Sequence, residues 1–181
     1  MGRLSAILLL PAIGACSIAP TLDDTNDTDL DVALCDELNA HRTDLRLPAV
    51  PVSAALMTVA RYHAEDLAAN GTGGTSCNLH SWSSNDPHWT GCCYTADNEQ
   101  AACMWNKPRE IVSYAAPGVE IAARQGARIA PATAVAAWAA SEHHRVVIAN
   151  DGDFADATWR AMGCAIEAGY ATAWFGELAA R

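Results

Sequence analysis

A chain of 181 residues with 51% hydrophobic side chains is long enough for one domain with a buried core and short appendages, and too short for two ordinary domains. The formal net charge of −10 is regional, because Asp23, Asp24, Asp27, Asp29, Asp31, Asp36 and Glu37 place seven negative charges within fifteen residues. The 11 Lys and Arg form no basic stripe, which excludes the electrostatic footprint of a DNA or RNA partner.

Residues 1–15 read as an export signal: Arg3, the apolar run "LSAILLLPAI", then small residues before Cys16. The run is too short to span a bilayer. "AIGAC" resembles the lipobox of bacterial lipoproteins, which makes Cys16 the lipidation site; the alternative is ordinary cleavage near Ala15 or Ala19. Either route carries the chain across the inner membrane, to be lipid-anchored to the cell envelope or released. Residues 16–30 are polar and acidic, the composition of a solvated tether. Leu30, Leu34, Leu38 and Leu45 then recur at helical spacing, and "LRLPAVP" closes the helix. A second helix follows Val52, with Ser53 as N-cap, Leu56, Val59, Ala60, His63 and Leu67 on one face, and "NGTGG" as its end. His41 and His63 read as packing or surface residues.

Residues 72–117 are rich in Gly, Ser, Asn, Pro, Trp and Cys and carry no sustained period, so cross-links or function must order them. Cys35, Cys77, Cys92, Cys93, Cys103 and Cys164 form an even set in an oxidising compartment and contain no C-x-x-C pair, which favours three disulfides over a zinc site. Four of them fall between 77 and 103, so that stretch is expected to be stapled to itself, leaving Cys35 for Cys164; the pairing among the four is open. Trp82, Trp89 and Trp105 form either the loop's own small core or an aromatic surface for a sugar or protein. "GVEIAARQG" predicts a short strand around Glu120, "PATAVAAWAASEHHRVVIAN" a helix opened by Pro131, and "TWRAMGCAIEAGYATAWFGEL" an antiparallel hairpin. Helices first, then mixed strand and helix, then a hairpin give an α+β class.

Together these segments resemble the CAP superfamily of cysteine-rich secretory proteins, antigen 5 and pathogenesis-related proteins, in its bacterial lipoprotein form. "LNAHRTDLRLPAVPVSAALMTVARYHAEDLA" is similar to the family's first two helices, with Asn39 and Arg42 at N-x-x-R; "LHSW" is similar to its first histidine loop, "AWAASEHHRVVI" to W-x-x-S-x-x-H-R, and "WRAMGCAIEAGYATAWFGE" to the closing hairpin. The resemblance spans residues 31–178 and implies a domain at 31–181, built as a three-layer α-β-α sandwich with a small central antiparallel sheet. It also implies a cavity whose histidines carry over to His80 and His144, with His143 as neighbour. The family strand G-E-N-I reads Gly118-Val119-Glu120-Ile121 here, so a gapless alignment puts Val119 at the glutamate, and Glu120 reaches the cavity only if the local register shifts. The second family glutamate corresponds to Ser141, with Glu142 beside it.

Two imidazoles and one carboxylate, His80, His144 and Glu120, suffice for a divalent metal such as zinc, with Glu142, His143 and His88 as further donors. Ser141 stands three residues from His144 and Ser81 adjoins His80, yet no G-x-S-x-G elbow or H-E-x-x-H segment accompanies them. The expected function is a non-enzymatic binding module for a lipid, glycan or protein surface, with membrane contact through the N-terminal lipid. A metal-dependent hydrolase using the same cavity, and a structural envelope protein with an empty cavity, are the alternatives. Relatives elsewhere are linked to sterol or lipid binding and to defence or venom roles.

Overall fold

The computed structural model describes residues 24–179 except Gly73 and Asn98. The export signal, Cys16 and the first part of the tether lie outside the described residues. The elements in chain order are α1 (Asp24–Asp44), α2 (Ala54–Asn70), α3 (Ala101–Trp105), α4 (Lys107–Val112), β1 (Val119–Arg124), α5 (Pro131–Ala140), α6 (Glu142–Ala149), β2 (Ala161–Glu167) and β3 (Tyr170–Gly176), with a short 3-10 turn at Gly152–Phe154.

Helix α1 runs back from Leu30 through the acidic segment to Asp24, so the expected tether is helical in its second half. His41 and Arg42 in its last turn complement the helix dipole. Helix α2 begins where the Ser53 hydroxyl accepts from the Leu56 amide at 3.4 Å and ends at Gly71, whose φ of 65° suits glycine. The 72–117 stretch is less irregular than its composition predicts. It contains α3 and α4, which are too short to show a period and too short to persist without tertiary support. The alanine-rich segment is two helices instead of one. Ser141 takes an extended conformation, a favoured residue type ahead of a helix, and Glu142 opens α6 with a charge suited to its N-terminus.

The three antiparallel strands lie in the order β1-β3-β2. Glu120, Trp174 and Gly163 stand in one cross-strand row, and Ala122, Thr172 and Ala165 in another on the same face. That face meets Leu56, Val59, Ala60 and Ala64 of α2. Side chains of the intervening row, Ile121, Ala173 and Cys164, point the other way, into a core shared with Leu34 and Leu38 of α1, Trp138 of α5 and Ile148 of α6. The result is a three-layer α-β-α sandwich of the α+β class.

Two close contacts set the spacing of α2 on the sheet. A Cβ on Gly163 would lie 2.0 Å from the Leu56 carbonyl carbon, and the Thr172 hydroxyl donates to the Ala60 carbonyl at 2.9 Å. Three disulfides complete the frame. Cys35–Cys164 ties α1 to β2 across 129 residues, while Cys77–Cys93 and Cys92–Cys103 fasten the long loop, the adjacent cysteines taking different partners.

Gly163→Ala is expected to force α2 off the sheet and to lower the unfolding free energy by about 1–3 kcal/mol, measured by urea denaturation. Gly74→Ala, where the nearest atom would be Cys77 Sγ at 3.8 Å, should stay within about 0.5 kcal/mol of the wild type.

Candidate functional site

Glu120 shares its cross-strand row with Trp174 and Gly163, and its carboxylate is buried on the face toward α2. Burial of an ionisable group demands hydrogen-bonding partners, and two histidines supply them. Glu120 Oε1 contacts Nδ1 of His63 from α2, and Oε2 accepts from Nδ1 of His80 at 2.8 Å. The other nitrogen of His63, Nε2, donates to the Ser81 carbonyl at 2.9 Å. A carbonyl only accepts, so Nε2 carries a hydrogen, and one further proton lies along the His63–Glu120 contact. Burial pushes the Glu120 carboxyl up, but charge on His63 and the hydrogen bonds from His63 and His80 outweigh it, and the net direction is down.

With Nδ1 engaged, His80 turns Nε2 away from Glu120, and its side chain is 19% exposed. A carboxylate that orients an imidazole in this way leaves the second nitrogen available to a ligand or proton. The His80 amide donates to Asn78 Oδ1 at 2.9 Å, and the Tyr94 ring meets the imidazole edge-on at 5.3 Å. Helix α6 packs against β1, an edge strand, and carries His144 into electrostatic range of His80 and Glu120. Burial, with like charge at His80 and His143, pushes the His144 imidazole down to about 4 against the pull of Glu120, so it is neutral at physiological pH.

Behind this group lies a buried support. Trp82 stacks on His63 with centroids 4.2 Å apart and planes within 6°, and Lys107 Nζ sits 5.4 Å from the Trp82 ring. Lys107 is itself buried and donates to the Thr90 carbonyl and to Glu110 Oε2, the latter at 2.7 Å. One turn beyond His63, Asp66 accepts from the Ser83 amide at 2.7 Å and hydroxyl at 2.5 Å. His63 and Asp66 thus fix the loop on both sides of Trp82.

Of the residues singled out in the sequence, His80 and Glu120 are in direct contact, His144 is half-buried on α6 within charge range of both, and His143 beside it is exposed. Glu142 is exposed in the first turn of α6. His88 is 59% exposed and pairs with Asp86 at 2.5 Å, away from Glu120. The Ser81 hydroxyl is engaged with the Tyr94 backbone, accepting from its amide at 2.9 Å. His63, Asp66 and Lys107 are the residues that sequence reasoning missed. For the first two a signal existed, because both are polar side chains on the apolar face of α2.

The donor set does not fit a three-ligand metal centre that includes Glu120. Both of its oxygens face imidazole nitrogens, and a cation there would displace the His63 proton. Among the described residues no group of three His, Cys, Asp or Glu side chains is placed to hold an ion. His80 Nε2 is the imidazole nitrogen of this group that Glu120 does not engage, and the half-buried His144 lies within charge range of it.

The model of the cysteine-rich secretory protein family, CAP, matches residues 35–173. No curated protein matches the sequence. Among solved structures, the chain is similar to an extracellular protein containing an SCP domain from Bacillus anthracis, with a TM-score of 0.57 and 16% identity over 88% of this chain and 45% of that one. A cysteine-rich secretory protein from Staphylococcus aureus gives 0.55 and 14% over 87% and 40%, and an outer surface protein from Borrelia burgdorferi gives 0.53 and 18% over 86% and 96%. At these identities the likeness is one of fold, and the chain spans less than half the length of the first two proteins.

Glu120→Ala leaves two buried imidazole nitrogens without their acceptor and is expected to cost about 3–5 kcal/mol in urea denaturation, as for a broken buried ion pair. Acid should weaken the fold in two steps. The unfolded chain takes up a proton at His144 near the ordinary value of 6.5, whereas the folded chain does so only near about 4. The His144 contribution is therefore complete above 6.5 and falls away as the pH drops toward 4. Glu120 acts in the same direction, its stabilisation being present above the ordinary 4.5 and lost as the pH falls through its lower folded value. Thermal melts between pH 7 and 4 should show a falling midpoint, and the His144 ring resonances should titrate with a midpoint near 4.

Proposed function

The chain belongs to the cysteine-rich secretory protein (CAP) family, and from that premise we propose that it works outside the cytoplasm, at the cell envelope, as a non-enzymatic binding module. It is exported by its N-terminal signal and either anchored through acylated Cys16 or released. Among the described residues no helix is long and apolar enough to cross a membrane, so the lipid supplies any attachment in this reading. The extracellular and outer-surface descriptions of two structurally similar proteins support that placement.

The observation that carries the proposal is the complete engagement of Glu120 by His63 and His80. Hydrolysis needs a proton acceptor placed beside a side-chain nucleophile or a water held for attack. His80 Nε2, oriented by Glu120, could serve as acceptor, but the neighbouring Ser81 hydroxyl is held by the Tyr94 backbone. Each Glu120 oxygen already carries an imidazole contact, and the carboxylate is buried behind His80, away from an incoming substrate. His80 and His144 then form a recognition edge that accepts or donates hydrogen bonds from a ligand without consuming it. A divalent ion would meet two imidazoles there, with the carboxylate behind one of them, an arrangement that favours weak and open coordination.

The unacylated full chain, with Cys16→Ser so that lipid does not supply the affinity, provides the test. It should co-sediment with an isolated bacterial envelope fraction, and retention should fall at least about tenfold in His144→Ala, whose melting point stays close to the parent, and in His80→Ala, compared at a temperature where that less stable variant is still folded. Turnover of ester, peptide or phosphodiester substrates that disappears with His80→Ala would overturn the proposal in favour of the hydrolase. Calorimetric titration with zinc should give only weak binding that both histidine variants remove; a tight one-equivalent site lost in Glu120→Gln would show that Glu120 leaves His63 to ligate the ion.

A further inference from the structure

The side chains of His63 and Glu120 have no exposed surface, whereas that of His80 is 19% exposed. Where the hydrogens lie along these three side chains decides what the exposed imidazole offers. His63 Nε2 faces the Ser81 carbonyl at 2.9 Å, and a carbonyl only accepts, so this nitrogen carries a hydrogen. Nδ1 of the same ring faces Glu120 Oε1. Two buried lone pairs facing each other would both be unsatisfied, so one more proton sits in that contact. Taken as imidazolium with carboxylate or as imidazole with carboxylic acid, His63 and Glu120 are then neutral as a unit.

His80 meets the other oxygen. In both forms of the unit the proton lies on the Oε1 side, so Oε2 is an acceptor and Nδ1 of His80 is its donor, at 2.8 Å. A neutral imidazole carries one hydrogen, and with that hydrogen on Nδ1 the Nε2 of His80 is bare. Neither of the other basic groups described around this site compensates Glu120 in place of His63. Lys107 is engaged by Glu110 at 2.7 Å, and His144 is neutral at physiological pH.

We propose that His63 is a positioning residue which, by holding the proton that Glu120 requires, keeps Nε2 of His80 bare and makes the exposed edge a hydrogen-bond acceptor. This rests on the reading of His80 and His144 as the recognition edge, and it narrows the ligand. The group that meets His80 is a donor, such as a hydroxyl, an amide N–H or an ammonium; a phosphate, carboxylate or carbonyl oxygen finds no hydrogen there. Without His63, a buried Glu120 anion would have only His80 to offset it. That pair would hold two protons, as imidazolium with carboxylate or as imidazole accepting from carboxylic acid, and in either form Nε2 carries a hydrogen. The hydrogen-bonding sense of the edge is inverted although His80 itself is unchanged. Phenylalanine at position 63 removes both polar contacts of the ring and keeps an aromatic face for Trp82, now stacked on it with centroids 4.2 Å apart.

The test uses the oxidised full chain with Cys16→Ser and nitrogen-15-labelled histidine, slightly above neutral pH. Long-range proton–nitrogen correlation spectra distinguish bare from hydrogen-bearing ring nitrogens. In the parent, His80 should show a bare Nε2 with hydrogen on Nδ1, and His63 should show hydrogen on Nε2. Hydrogen on Nε2 of His80 would overturn the proposal, and this measurement needs no variant. In His63→Phe, compared at a temperature where it is folded, Nε2 of His80 should carry a hydrogen; a nitrogen still bare would assign His63 to packing alone and overturn the proposal. Co-sedimentation with the bacterial envelope fraction is the second readout. Retention of His63→Phe should fall about fivefold or more, the worth of one hydrogen bond, although His80 and His144 are intact. Undiminished retention with an inverted His80 would overturn the ligand class. Undiminished retention in His80→Ala would overturn the recognition edge itself, a failure that the spectra of the parent keep separate from that of the bare nitrogen.

Discussion

A carboxylate enclosed between a helix and a sheet costs several kcal/mol unless each oxygen meets a donor. Glu120 is in that position, and much of the α2 side of the molecule answers to it. His63 must lie on the inward face of α2, its second nitrogen must find the Ser81 carbonyl, and His80 must approach from the loop with Nδ1 foremost. Gly163, in the same sheet row as Glu120, has no side chain because α2 has to come close enough for His63 to reach. The close packing of helix on sheet and the polar group beneath it are thus one requirement.

The loop meets that requirement at a conformational cost of its own. Ordering each backbone residue opposes folding by roughly 1–2 kcal/mol, and residues 77–103 have little regular structure to offset it. Two disulfides shrink the unfolded alternatives of this stretch, and Asp66 and His63, one turn apart on α2, hold its chain on either side of Trp82. Trp82 fills the gap between them, with His63 stacked on it and Lys107 near its ring, so a buried ammonium and a buried imidazole share one aromatic surface. Glu110 supplies the opposite charge that makes Lys107 tolerable there.

The two long helices, the first strand and the hairpin were legible in the sequence because each carries a period or a cap that acts locally. Leu34 and Leu38 on one face, Ser53 before α2, Gly71 after it and the turn at Ala168 and Gly169 are signals of that kind. The family resemblance rested on these same segments, and the family model covers residues 35–173 of them. What escaped was set by distant partners. His63 shares the apolar face of α2 with Leu56 and Leu67, and only the arrival of Glu120, 57 residues later, makes it more than packing. The orientation of Glu120 was ambiguous for a related reason: β1 is buried on both faces, so Val119, Ile121 and Ala123 alternate with Glu120 and Ala122 without a polar side to orient them. The break at Ser141 and the helices α3 and α4 depend on tertiary contacts that outweigh composition.

Helix α2 and the stapled loop each present two faces. Inward, α2 offers His63 and Asp66 and the loop offers Ser81 and Trp82; outward, α2 offers Arg61, Tyr62 and Glu65 and the loop offers Trp89. Because residues 61 to 66 make less than two turns, the helix cannot rotate to adjust one face without displacing the other. Trp82 and Trp89 are in edge contact, which makes the loop equally indivisible. The bonds that satisfy Glu120 therefore also set the spacing between Tyr62 and Trp89. An exported chain in which Cys77, Cys92, Cys93 and Cys103 are all oxidised holds the buried group and the outer aromatic rim with the same two disulfides.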